Sequence, residues 1–198
     1  VGKPHRIDDR GGQLLKSLKE IGFDQYYLAE QMGWVLYVEG STDLAILRAF
    51  AERLNHPVKA VLERPFVHYI ANQPSRARQH FYGLREAKRD LVGFVLCDRL
   101  DSELQSTPEL IESMWKRREI ENYLCQPATL LAYAAAHSAE GFGPLFAGVE
   151  SERRVQAMDT TIKDLVAPAA LRDLDDPWWA NVKASDDFLD RTFETYLG

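Results

Sequence analysis

Apolar residues recur along this chain at two periods. Val35, Leu36, Tyr37 and Val38 make an unbroken β-branched and aromatic run, which predicts a buried strand beginning at Trp34. Leu91 to Cys97 is a second strand, nearly all apolar, as central strands of parallel sheets are. Val58 to Leu62 and Phe66 to Ile70 read as two shorter strands, separated by Arg64-Pro65 because proline breaks a continuous strand. Between these runs the period changes to that of a helix. Leu44, Leu47, Ala51 and Leu54 predict a helix from Ser41 to about Leu54, with Ser41, Thr42 and Asp43 offering N-cap chemistry. Arg76 to Arg89 is a second helix with Ala77, Phe81, Leu84 and Ala87 on its apolar side.

The flanks are less regular. Residues 1–12 read as a lead-in, Gln13 to Gly22 as a short helix and Tyr26 to Gln31 as a further turn or two. Pro108 suits the first turn of a short helix through Ser113. In the block Arg118 to Leu124, a strand would place Glu119 and Glu121 on one face, whereas a helix would separate them by roughly 200°. Pro127 to His137 and Ser151 to Leu165 read as helices with a loop over Gly141 to Gly148, and Ser185 as the cap of a last helix carrying Leu189, Phe193 and Tyr196. Strands alternating with helices predict an α/β fold with a parallel sheet. Residues 34–125 form its core, residues 1–33 lead into it, and residues 126–198 extend it with helices.

Composition narrows the class. A chain of 198 residues with 45% hydrophobic and 27% charged residues is an ordinary soluble domain. It has no apolar run of membrane-spanning length and no signal-peptide pattern. Two cysteines make a disulfide framework improbable, so a reducing cytoplasm is the expected setting. The five histidines lack zinc-ligand spacing. Net charge is −6, yet Arg64, Arg76, Arg78, Arg85, Lys88 and Arg89 gather in one segment, followed by Lys116, Arg117 and Arg118. The chain begins at Val1 and ends at Gly198 without an evident terminating element, as a piece of a longer protein would.

The candidate chemistry lies at the strand ends. Glu39 closes the first strong strand, Asp43 follows four residues later, and the second closes in Asp98-Arg99-Leu100-Asp101. Open α/β sheets place their sites just beyond the carboxyl ends of the strands. Crowded carboxylates raise one another's pKa unless a cation lies among them, and oxygen donors without Cys or His favour Mg²⁺ or Mn²⁺. The plain alternative is that Glu39 is a surface strand end and Asp43 only complements a helix dipole. Lys116 and Arg118 are either solvated charges or phosphate contacts. Trp178 and Trp179 read as core rather than as base-stacking platforms, Tyr123 as core, Cys97 as a small buried apolar group and Ser41 as a cap.

A hydrophobic strand ending in E-G-x-x-D, then a second ending in D-x-x-D, resembles the TOPRIM domain of topoisomerases, primases and certain nucleases. The block R-E-I-E-N-Y-L at 118–124 and the segment from Trp179 to Leu189, W-x-x-V-K-A-S-D-D-F-L, resemble the OLD (overcoming lysogenisation defect) family of ATPase-fused nucleases. The resemblance runs from about Trp34 to the C-terminal end. It implies a TOPRIM-like Rossmannoid parallel sheet flanked by helices and a Mg²⁺- or Mn²⁺-dependent DNA endonuclease using two ions.

By position it makes Glu39 a metal ligand and general base, Asp43 the second acid of the first motif, and Asp98 the first acid of the second motif. Leu100 occupies the place of that motif's second acid, so Asp101 replaces it only if the turn is altered. Glu121 is the further ligand, with Glu119 as substitute, and Lys183 is the catalytic lysine. Arg99, Lys116 and Arg118 are the expected nucleic-acid contacts. The implied partners are DNA, an N-terminal ABC-type ATPase domain outside this sequence (which has no G-x-x-x-x-G-K-[ST]), and a second copy in a homodimer. The implied role is defence against phage DNA. The rival expectation is a TOPRIM domain that has lost catalysis and serves as a regulatory or docking module for its ATPase.

Overall fold

The computed structural model describes residues 21–136 and 144–197. The expected lead-in over 1–12, most of the helix expected over Gln13 to Gly22, and His137 lie outside them. The chain divides into two compact units, Val1–Met114 and Trp115–Gly198.

The first unit is built on a four-stranded, all-parallel sheet in the order β2-β1-β3-β4, flanked by helices. Its elements are α1 (Phe23–Met32), β1 (Trp34–Val38), α2 (Ser41–Arg53), α3 (Val58–Leu62), β2 (Val67–Tyr69), α4 (Pro74–Arg85), β3 (Val92–Cys97) and β4 (Leu110–Met114). Strand β1 pairs with β2 on one side (Tyr37 opposite His68) and with β3 on the other (Tyr37 opposite Val95).

Alternation along the strands divides the core in two. Val35, Tyr37, Val95, Cys97 and Leu110 pack with Tyr26 and Ala29 of α1 and Ala77, Phe81 and Leu84 of α4. Leu36 and Val38 pack with Leu44 and Ala51 of α2 and Leu62 of α3. Helices on both faces are what a parallel sheet requires. Gly93 permits the close approach of α4, since a Cβ there would stand 2.9 Å from a Phe81 ring carbon and 2.6 Å from Leu110 Cδ1.

Several elements differ from expectation. Val58–Leu62 is helical, because after the turn at Asn55 its one buried side chain, Leu62, packs against α2 rather than within a sheet. α1 belongs to the packed core, not to a lead-in, and ends at Gly33, whose φ of 69° is natural for glycine. The short helix expected from Pro108 is instead strand β4, with Leu110 and Glu112 turned inward and Ile111 outward. The helix from Ser41 is capped by the Gly40 backbone, and Ser41 itself is the first helical residue. The division between units falls at Met114/Trp115 instead of near residue 125, because the chain leaves the sheet directly after β4.

Among its described residues the second unit has only helical elements: a 3₁₀ turn (Ile120–Tyr123), α5 (Pro127–Ala136), α6 (Pro144–Leu165), α7 (Pro168–Arg172), α8 (Pro177–Asn181), a π-helical turn (Ala184–Asp190) and α9 (Arg191–Leu197). The loop expected over Gly141 to Gly148 is helix from Pro144 onward. The core holds Leu130, Met158, Ile162, Val166, Trp179 and Phe188. Trp179 is fully buried and its indole N–H donates to the Ala170 carbonyl at 2.8 Å, so it is core, as its residue type suggested. Tyr123 is not: it is 37% exposed, with the Arg117 guanidinium 5.1 Å from its ring centre.

Candidate functional site

In the first unit the candidate carboxylates gather at the carboxyl ends of two adjacent parallel strands. Glu39 follows β1 directly and is exposed; Asp98 follows β3 directly and is half-buried. The chain leaves β1 through α2 and α3 to reach β2 on one side, then crosses through α4 to β3 on the other side of β1. The gap between β1 and β3 is therefore the sheet's topological switch point, where open α/β sheets form their ligand crevice.

Asp43 lies in the first turn of α2, and its Oδ2 accepts the Gly40 N–H at 2.9 Å. Burial pushes its carboxyl above the usual carboxylate range, and the bonds from the Gly40 and Asp43 N–H groups oppose the rise. Asp101 is exposed, and Leu100 beside it packs against the core with its N–H directed to Met114 Sδ at 3.4 Å. Arg99 is exposed next to Asp98.

The Cys97 thiol at the end of β3 lies within reach of these carboxylates. Burial first, then the carboxylates of Glu112, Asp98, Glu39 and Asp43, push it up to about 12. Of these four, Glu112 is neutralised, because Arg78 Nη1 lies 2.7 and 2.9 Å from its two oxygens. Glu39, Asp43 and Asp98 carry oxygen donors of the hard type that Mg²⁺ and Mn²⁺ prefer. Among the described residues no set of three or more His, Cys, Asp or Glu side chains stands close enough to ligate one ion. Magnesium is commonly held by one or two carboxylates, with water and substrate phosphate completing its shell, so the Glu39 and Asp98 pair suits it chemically.

The second unit brings together the two segments singled out at 118–124 and 179–189. The buried Asn122 amide donates to the carbonyls of Trp179 and Val182 at 3.0 and 2.9 Å. The Arg118 N–H donates to the Ala180 carbonyl at 2.9 Å and its guanidinium to Asn181 O at 3.2 Å. Glu119 is buried, and its Oε2 accepts both the N–H and the hydroxyl of Ser185, each at 2.9 Å. Of the two conformations the sequence left open, strand or helix, the segment takes a helical one, a 3₁₀ turn, so Glu119 and Glu121 do not share a strand face. Glu119 precedes the 3₁₀ turn as its N-cap, and Glu121 lies half-buried inside it. Ser185 likewise anchors to Glu119 within the π-helical turn and caps no helix. Lys183 pairs with Asp186, which together with Glu119 raises its ammonium pKa against burial and Arg118. Lys116 is exposed.

Sequence reasoning missed Glu112, Asn72 and the histidine pair His68–His80. Asn72 sits in the turn after β2 at φ 55°, and its Oδ1 accepts the Asp98 N–H at 3.0 Å. The one available signal was A-N-Q-P at 71–74, a turn-forming string ahead of a helix-starting proline. No family model matches this chain, and no curated protein or solved structure matches it either.

Proposed function

We propose that this chain is a divalent-cation-dependent phosphodiesterase module acting on DNA, the TOPRIM nuclease part of an OLD-type ATPase-fused protein. The observation that carries the reading is the placement of Glu39 and Asp98 at the tips of adjacent parallel strands beside the switch point. Glu39 and Asp98 would hold a Mg²⁺ or Mn²⁺ ion there, which would supply positive charge for the phosphate and lower the pKa of the attacking water. Glu39, the more exposed of the pair, would serve as the base that takes the proton of that water. Asp98 holds its side of the crevice, and Asp43 adds negative charge at the start of α2. Arg99 is the phosphate contact nearest the pair in sequence.

Roles for Glu121, Lys116, Arg118 and Lys183 of the second unit rest on the resemblance. So do the ATPase partner, the homodimer, phage defence and a cytoplasmic setting. No described helix is long and apolar enough to cross a membrane.

The test is cleavage of supercoiled plasmid. The chain nicks or linearises it with Mn²⁺ or Mg²⁺, EDTA abolishes the activity, and Glu39→Gln removes it. A Lys183→Ala variant loses roughly 10²-fold in rate, the scale for one preorganised electrostatic group, with its melting temperature unchanged. Equal cleavage by wild type and Glu39→Gln would place the activity elsewhere. Two features favour the catalytically silent alternative, a docking module for an ATPase: Asp43 is turned back onto Gly40, and Leu100 replaces the second acid. That reading predicts no metal-dependent cleavage at all.

A further inference from the structure

The turn between β2 and α4 is the most strained backbone near the carboxylate pair. Ala71 and Asn72 occupy consecutive positions at φ 48° and 55°, a region that L-residues other than Asn and Asp seldom enter. The Gln73 N–H closes the turn by donating to the Ile70 carbonyl at 3.1 Å, with both central residues at positive φ as in a type I′ turn. Such strain persists where the surroundings over-determine it. Here the surroundings are the two strand tips themselves. The Ala71 N–H donates to the Glu39 carbonyl at 3.2 Å, and the Asn72 Oδ1 accepts the Asp98 N–H at 3.0 Å. One two-residue turn thus grips the backbone of Glu39 with its first residue and that of Asp98 with the side chain of its second.

We propose that Asn72 is a positioning residue for the Glu39–Asp98 pair, and this rests on the reading of that pair as cation ligands. A ligand pair binds a cation best when the backbones that carry it are already fixed, and the turn holds both, through the Glu39 carbonyl and the Asp98 N–H. The Asp98 N–H is the first backbone donor beyond β3. Without the Asn72 carbonyl it would turn to water, and the direction of the Asp98 side chain would loosen with it. An asparagine suits the task because it tolerates positive φ while offering a rigid, uncharged acceptor close to its own backbone.

The experiment uses the full chain and two variants. Asn72→Gly keeps the positive φ without strain but removes the acceptor; Asn72→Asp keeps an acceptor of the same shape. Amide hydrogen exchange at Asp98, followed by NMR, is expected to accelerate at least tenfold in Asn72→Gly and to stay near wild type in Asn72→Asp. Calorimetric Mn²⁺ affinity is expected to fall roughly 10- to 100-fold in Asn72→Gly, the usual effect of removing a group that orients a ligand. The melting temperature should not fall, since glycine relieves the turn. Unchanged Mn²⁺ affinity in Asn72→Gly, with or without faster exchange at Asp98, would overturn the positioning role while leaving the cation reading intact. A wild-type chain that takes up no Mn²⁺ would overturn the cation reading, and this role with it.

Discussion

His80 lies in the core of the first unit, its Nδ1 2.9 Å from the Tyr37 hydroxyl and its ring stacked on His68 at 3.8 Å. Its Nε2 is buried without a partner. Tyr37 from β1 and His68 from β2 are the titratable groups that face it, with Phe66 edge-on. Burial, then His68, pushes the His80 imidazole down to about 4. The consequence for stability has a definite sign. Above pH 6.5, the ordinary histidine value, folded and unfolded chains are both neutral at this site and the fold keeps its full stability. Between 6.5 and about 4 only the unfolded chain takes up the proton, so stability falls on acidification, by roughly 1.4 kcal/mol per unit of depression. Below about 4 the effect levels off. Urea titrations from pH 7 to 5 should show this slope in wild type. It should flatten in Tyr37→Phe/His80→Phe, which keeps both ring shapes and removes both polar partners. An identical slope in the double variant would assign the acid sensitivity to other groups. None of this was legible in the sequence. Tyr37 and His80 lie 43 residues apart, and only the fold shows that they meet.

Among the elements, strands β1 and β3 were legible from their uninterrupted apolar runs, although only β1 is buried on both faces, Val92 and Phe94 of β3 being exposed on one. Strand β4 was not. Its sequence L-I-E-S-M carries a glutamate at its centre, and Pro108 just ahead of it suggested a helix. Glu112 nevertheless points into the unit, its side chain fully buried and paired with Arg78 of α4. It also accepts the Gln105 N–H at 2.8 Å, while its backbone exchanges hydrogen bonds with the Ser106 hydroxyl. One buried carboxylate thereby fastens α4 to the sheet and pins the stretch before β4. Removing one member of such a pair leaves the other charge poorly compensated, a loss of roughly 3 kcal/mol or more. Glu112→Ala should show that loss in chemical denaturation. A change below about 1 kcal/mol would mean that the pair behaves like an exposed one.

For the whole molecule, the period of apolar residues predicted an α/β sheet with a helical C-terminal part, and that is the architecture found. The two units divide earlier than expected because local patterning reports which segments are buried, not against what. The carboxylates at the sheet's switch point were legible as residues, since strand ends can be counted along the chain. The bonds of Asn72 to the Asp98 N–H and of Asp43 to the Gly40 N–H were not, because hydrogen bonds formed across a turn leave no period in the sequence. The proposed function stands or falls with Glu39 and Asp98 together taking a divalent cation. Titration calorimetry with Mn²⁺ on wild type, Glu39→Gln and Asp98→Asn tests it most directly. Saturable binding by wild type and at least tenfold weaker binding by each variant are expected. Melting temperatures without metal should be unchanged or raised, as like charges are removed. Equal affinities in all three proteins, or no binding by wild type, would contradict it.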